Sequence, residues 1–362
     1  MFTRCIPAAA AILLATPYAA LAQSSVTISG YLKLSVEGLK LGDSAKSPSG
    51  ESRLVDDSSR IIFAVTEDLG RGLQAIAQID WRIAPDSGAG APSGNNWVGV
   101  RGASWGMLKL GRHDLHYNAD PSEITAKAGS KKAGPVALLA FAAGGRTAIA
   151  GNTRTPNAVV WDSPTWGPFD LRLAYSANTA TAEADIGSAV RRGRAWNVMP
   201  RLTVSQWQLG WSHWDSKPDA ALAGEQKADR FWGYYAWGGL RIGLAYDKSR
   251  IHTGGSADTS RRTAWSVPLR YRSGNHNFHA EHARARDDTV TASADGARML
   301  ALAYVYELSK RTSLGLSYAR IRNDPDAAYN LDGSAGSQGS PSGAVAPGED
   351  PRVIAATIRH AF

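Results

Sequence analysis

The feature that most constrains this chain is a repeat of form. Segments of about 8 to 14 residues alternate in polarity, and the links between them are by turns short and long. Leu73, Ala75, Ala77, Ile79 and Trp81 fall on one side of their segment, with Gln74, Gln78, Asp80 and Arg82 on the other. Leu240, Ile242, Leu244 and Tyr246 oppose Arg241 and Asp247, and Phe169, Leu171, Leu173 and Tyr175 oppose Asp170 and Arg172. A period of two belongs to a strand with one apolar face.

Short links are read at 68–72, 104–106, 163–168, 199–200 (Met-Pro), 237–239, 273–277 and 308–311. Longer polar stretches cover 40–56, 84–94, 113–153, 177–191, 215–228, 252–260, 288–295 and 324–350. Seven short and eight long links separate sixteen strands. The apolar faces are backed by charge-rich ones, with no second apolar face for a sandwich core. An even strand count with tight turns at one end and long loops at the other is the pattern of an outer-membrane barrel, closed because in lipid every backbone polar group needs a partner within the protein. The expectation is an all-β, 16-stranded antiparallel transmembrane β-barrel with short periplasmic turns and long extracellular loops, preferred over a large soluble all-β protein. Trp81, Trp161, Trp166, Tyr175, Trp232, Tyr234, Tyr246, Tyr304 and Tyr318 lie near strand ends, where interfacial girdles are expected.

Residues 1–22 carry one positive charge, an apolar run and Ala20-Leu21-Ala22, which reads as a cleaved secretory signal, leaving residues 23–362 as the barrel. The single cysteine, Cys5, falls inside that signal, so no disulfide is expected. The formal net charge of +8 suits anionic solutes, lipopolysaccharide or nucleic acid and does not choose among them, and without a nucleic-acid module no nucleic-acid partner is expected. No H-E-x-x-H sequence or phosphate-cradling loop occurs, so no enzyme and no cofactor are assigned. His113 and His116 lack a third ligand and are assigned no metal, while His279 and His282 fall on opposite faces of one strand. Pro268 inside an alternating segment predicts a local bulge. The final segment, RVIAATIRHAF, puts Ile354, Ala356, Ile358, His360 and Phe362 on one face.

Five segments in order, SSVTISGYLKLSVEG (24–38), SSRIIFAVTEDLGRGLQAIAQID (58–80), WVGVRGASWGMLKLGR (97–112), NAVVWDSPTWGPFDLRLAYS (157–176) and the closing IRHAF, resemble the general diffusion porins of the Gram-negative outer membrane, in particular the trimeric beta-proteobacterial kind. The resemblance implies a homotrimer, a third loop over 113–153 that folds into the lumen, and a terminal Phe362 read by the barrel-assembly machinery. Gly94 and Val160 stand where that family often has basic residues, and the third loop contains an apolar run, GPVALLAFAAGG (134–145), where a polar stretch is usual.

A pore has no reaction to catalyse, so its site is the field inside a narrow wet passage. Strand parity places Lys33, Arg60, Arg82, Arg172, Arg241, Arg270 and Arg272 on lumen faces, and Arg101 and Arg154 are assigned with them as a basic wall. The acids facing them are expected from the third loop: Asp114, Asp120 and Glu123. That loop also carries Lys127, Lys131, Lys132 and Arg146, with Lys131 and Lys132 expected to be solvated far from the constriction. The function expected is passive diffusion of small hydrophilic solutes with anions favoured. The alternatives are a channel selective for phosphate or organic acids, and less favoured, a barrel enzyme or an adhesin.

Overall fold

Each strand of the computed structural model runs antiparallel to its neighbours, and the first pairs with the last. The structure describes residues 24–116, 124–135, 138–139, 154–179, 193–217, 224–252, 258–331 and 345–362. The predicted signal segment lies outside them. The strand segments are β1 (Ser25–Gly42), β2 (Gly50–Asp56), β3 (Arg60–Gly70), β4 (Leu73–Ala84), β5 (Ala89–Ala91), β6 (Asn96–Gly102), β7 (Gly106–Asp114), β8 (Arg154–Asp162) and β9 (Phe169–Ser176). They continue as β10 (Arg194–Val204), β11 (Trp207–Lys217), β12 (Glu225–Trp237), β13 (Leu240–His252), β14 (Ser260–Ser273), β15 (His276–Ala285), β16 (Ala297–Glu307), β17 (Thr312–Asn323) and β18 (Asp350–Ala361). Both β2 and β3 pair with β1, and both β5 and β6 pair with β4, so each couple is one interrupted barrel strand. The barrel is therefore a closed ring of sixteen, as the spacing predicts.

Closure runs from Tyr31 opposite Ala361 to Gly42 opposite Asp350, and Gly30 and Phe362 exchange backbone hydrogen bonds of 3.3 and 3.2 Å. Phe362 thus completes the ladder with its main chain while its ring stays exposed. Ile354 and Ile358 of β18, Leu300 and Leu302 of β16 and Val36 of β1 are exposed on the same outer surface, which is the apolar face the alternation calls for. Aromatic contacts gather at the short-turn end, among them Trp166 stacked on Phe169 and Phe278 against Tyr304. Trp232 and Tyr234 do not join this girdle. They share parity with Gln226 and Arg230 and are buried on the lumen side beside Ile124, with Phe231 taking the lipid face instead.

Other readings need correction. The Met-Pro pair at 199–200 is no turn, because it lies inside β10, and the chain reverses at Ser205–Gln206 with Ser205 at φ 53°. The polar stretch 40–56 is mostly strand, since β1 and β2 pair from Leu34–Asp56 to Lys40–Gly50 and β1 stays paired with β18 as far as Gly42. Pro268 makes no bulge. Ile242 opposite Leu269 and Ala245 opposite Ser266 keep one register, and only the rungs between them are missing. Pro200 interrupts the β10–β11 ladder in the same manner, between Val198–His213 and Arg201–Gly210. A missing N–H removes a rung without adding a residue, so the register has no reason to slip.

A second apolar face, which the alternation did not anticipate, lines part of the interior. Ala283, Ala285, Ala297, Ala301, Ala303, Ala319 and Ala355 point inward from β15 to β18 and are buried with Met299, Ile321 and Val353. Small side chains leave room for a second layer. Ala126, Ala133, Leu138 and Leu139 of the third loop, with Ala327, Tyr329 and Leu331 of the last long loop, fill it.

Candidate functional site: the lumen and its inner loop

The third loop is tied to the wall by groups of both signs. Lys132 Nζ lies 2.8 Å from Glu37 Oε1 with neither side chain exposed, and the backbone N–H of Lys131 donates to Asp57 Oδ1 at 2.8 Å. Lys33 of β1 bridges Asp57 at 3.0 Å and reaches the carbonyls of Lys127 and Ala128 at 3.4 and 3.3 Å. From β15 and β14, farther round the same wall, Glu281 accepts from the Ala126 N–H at 3.2 Å and Arg262 donates to the Leu139 carbonyl at 2.9 Å. At Gly129 the loop backbone lies so close to the wall that a Cβ would stand 2.6 Å from the Cβ of Ala303 and 3.1 Å from that of Ser317.

Lys131 and Lys132 are therefore buried anchors rather than solvated loop charges. Among the described residues this inner loop is basic, and the acids that meet it come from the wall: Glu37 and Glu281 from β1 and β15, and Asp57 from the link between β2 and β3. Asp120 and Glu123 lie outside the described residues, as does Arg146. Asp114 ends β7 and pairs with Arg154 at 3.4 Å, with Asn95 donating to its other oxygen at 2.9 Å.

Below the loop, toward the short-turn end, a cavity of about 690 Å³ opens. Lys33, Arg60, Arg82, Lys127, Lys131, Arg154, Arg270, Arg272, Lys310, Arg311 and Arg359 line it, against the carboxylates of Asp57 and Glu307. Six of the wall cations expected from parity are thus brought together: Lys33, Arg60, Arg82, Arg154, Arg270 and Arg272. Strand register explains the gathering. Arg60 stands directly opposite Arg82 on β3 and β4, whereas Arg241, opposite Arg270 in register on β13 and β14, does not line the cavity. Asp80 sits between the first two, 2.8 Å from Arg82 and 3.7 Å from Arg60, and is buried. A Cβ at Gly94 would fall 2.1 Å from the Asp80 carboxyl carbon, so glycine at this position is what lets that carboxylate pack.

The remaining expected residues lie elsewhere. Arg172 joins Lys109 on a single carboxylate, Asp162, each at 2.5 Å. Arg101 is exposed at the short-turn end and bonded to Gln74. The sequence reading missed Lys127, Lys310, Arg311 and Arg359 as cavity residues. Arg359 shares lumen parity with Arg270 and stacks on Tyr31 at 4.5 Å, a pairing visible only once β1 meets β18. Val160 is fully buried beside Leu115, Ala174 and Trp214, an apolar contact between the start of the loop and the wall. His116 packs in the same region, 2.9 Å from Ser212, and burial holds its imidazole well below the usual histidine range. His113 stacks on Trp97, and His279 and His282 point to opposite faces. No group of three or more His, Cys, Asp or Glu able to hold a metal occurs among the described residues.

A closed sixteen-strand ring with an aliphatic exterior, a charged interior and an inner loop that narrows it defines a diffusion channel of the bacterial outer membrane. Residues 8–326 match the family model described as Gram-negative porin, and the chain belongs to that family. It is 27% identical to outer membrane porin protein 32 of Delftia acidovorans over 97% of both chains, and 28% identical to an outer membrane porin protein of Bordetella pertussis over 52% of each. In fold it is similar to a solved structure titled anion-selective porin from Comamonas acidovorans, with TM-score 0.78 and 20% identity over 94% of this chain and 100% of that one. OmpT of Vibrio cholerae superposes with TM-score 0.66 at 13% identity over 94% and 98%.

Proposed function

We propose that this porin passes small hydrophilic solutes with a preference for anions, and that the basic cavity sets the preference. The single observation that carries the reading is the excess of lysine and arginine over carboxylate around that cavity. A permeating anion exchanges part of its hydration shell for guanidinium groups whose charge does not titrate away, and low-dielectric walls keep the field from spreading. The Comamonas protein with the similar fold is titled anion-selective, which agrees with this reading. Residues 1–22 act as the export signal and the mature barrel assembles as a homotrimer, with Phe362 recognised by the assembly machinery and lipopolysaccharide among its lipid contacts. Its work is transport, with no catalytic step.

The test is the reversal potential of the refolded protein in a planar bilayer under a salt gradient, with wild type beside Arg60→Ala. An anion-selective potential that weakens in the variant supports the basic-cavity mechanism. A cation-selective potential, or one unmoved by the substitution, overturns it.

A further inference from the structure

The outer surface carries a row of cations that the pore does not use. Arg284 stands directly opposite Arg298, and Arg298 opposite Arg322. One step along β17, Arg320 faces Arg352, which in turn faces Lys40. All six share the outward parity of the lipid-facing leucines and isoleucines: Leu300 follows Arg298 on its face, and Ile354 follows Arg352. Like charges directly opposite on one sheet face repel, at Cα separations of about 4.5–5.5 Å. Arg320 has Asp350 at 2.9 Å. Among the described residues, Arg284, Arg298, Arg322 and Arg352 show no ion pair. Repulsion of this kind, left uncompensated by the protein, calls for an anion from outside it.

Depth in the membrane identifies that anion. Arg352 and Phe362 are ten positions apart on β18, about 34 Å along the strand and about 25 Å along the barrel axis at a tilt near 40°. With the aromatic girdle marking one interface, the row falls at the other edge of the apolar band, on the long-loop, extracellular side. Trp265 lies opposite Arg284 in register, where an interfacial aromatic belongs. At that height the neighbours of an outward-facing guanidinium are lipid headgroups. We propose that the row from Arg284 to Lys40 is a binding surface for the phosphorylated glycolipid of the outer leaflet, with the guanidinium forks on its sugar phosphates and the adjacent leucines and isoleucines against its acyl chains. This rests on the outer-membrane location and is independent of the anion preference of the pore.

The probe is diphosphoryl lipid A, added to the protein refolded in neutral detergent, with wild type beside the triple variant Arg284→Gln/Arg298→Gln/Arg322→Gln. Without lipid A the variant should melt at or above the wild-type temperature, since the repulsion is relieved. With lipid A the wild-type midpoint should rise and the variant's should not, and the variant's affinity should fall at least tenfold, about 1.4 kcal/mol. Single-channel conductance in phosphatidylcholine bilayers should be the same for both. Equal lipid A binding by the two proteins overturns the proposal, as does an equal midpoint rise with inorganic phosphate alone. A changed oligomeric state of the variant in lipid-free detergent would assign the row to contacts between copies and overturn it too. Should the triple variant fail to refold, Arg298→Gln alone, which removes the central cation, is held to the same outcomes. The reversal-potential experiment on Arg60 reads the pore alone, so the two readings fail separately.

Discussion

Lys132 and Glu37 form an ion pair 2.8 Å long with both side chains fully buried, inside a channel whose purpose is to hold water. The pair joins the third loop to β1 at a point where the alanine-lined wall and the loop's own apolar residues exclude solvent. Water is thus kept from one side of the lumen so that the loop can keep the other side narrow.

Breaking this pair from one end should cost more than a surface contact would. Lys132→Ala leaves the buried Glu37 carboxylate with Arg53, at 3.3 Å, as its remaining cationic partner among the described residues. With Arg53 still offsetting the charge, a stability loss of about 1–3 kcal/mol is expected for the lost charged hydrogen bond, read by denaturant unfolding in detergent. The loosened loop should also raise conductance noise in single-channel records. Replacing both partners with a Lys132→Met/Glu37→Leu pair should recover most of the stability.

Asp80 moderates the cavity charge by neutralising two guanidiniums at once. Asp80→Asn should leave Arg60 and Arg82 more exposed electrically and move the reversal potential further toward anions, opposite in sign to the effect of Arg60→Ala. Loss of the carboxylate's bonds should cost about 1–3 kcal/mol. A shift toward cations would show that Asp80 does not act on permeating ions through these two arginines.

Gly129→Ala puts a methyl group against Ala303, where the backbones on both sides are fixed, and should lift the loop at a cost of about 1–3 kcal/mol. Larger pore conductance is the expected readout. Ala303→Gly in the same chain vacates the clashing position and should restore conductance, an outcome that a general loss of packing would not produce.

Deleting Phe362 removes the last backbone groups bonded to Gly30 and the exposed ring of the closing strand. Outer-membrane yield in cells should fall several-fold, while refolding into detergent in vitro should be little changed. Equal loss in both settings would mean that the residue serves barrel closure rather than recognition by the assembly machinery.

Much of the architecture was legible in the sequence because a strand's parity is local. Leu300 and Leu302 face lipid and Arg60 and Arg82 face the lumen for the same reason, their positions in a two-residue repeat. Trp232 and Tyr234 follow parity rather than nearness to a strand end, and Gln226 and Arg230 on the same face place them inside. The alanine wall also left a trace: Ala297, Ala301, Ala303, Ala319 and Ala355 occupy lumen parity, and the apolar run at 134–145 contains Leu138 and Leu139, which pack against it. Nothing short-range links the two. Their meeting requires the loop to turn inward.

By itself the sequence determined the repeat of sixteen strands, the alternation of tight turns and long loops, and which residues of each strand meet water or lipid. These follow from backbone geometry that each segment carries alone. Only the tertiary structure decided which charges stay free to act on solutes. Lys33 and Asp57, Lys132 and Glu37, and Arg359 and Tyr31 are far apart in the chain and adjacent only after the ring closes and the loop docks. An electrostatic field depends on distances through space, and those distances do not exist until the barrel does.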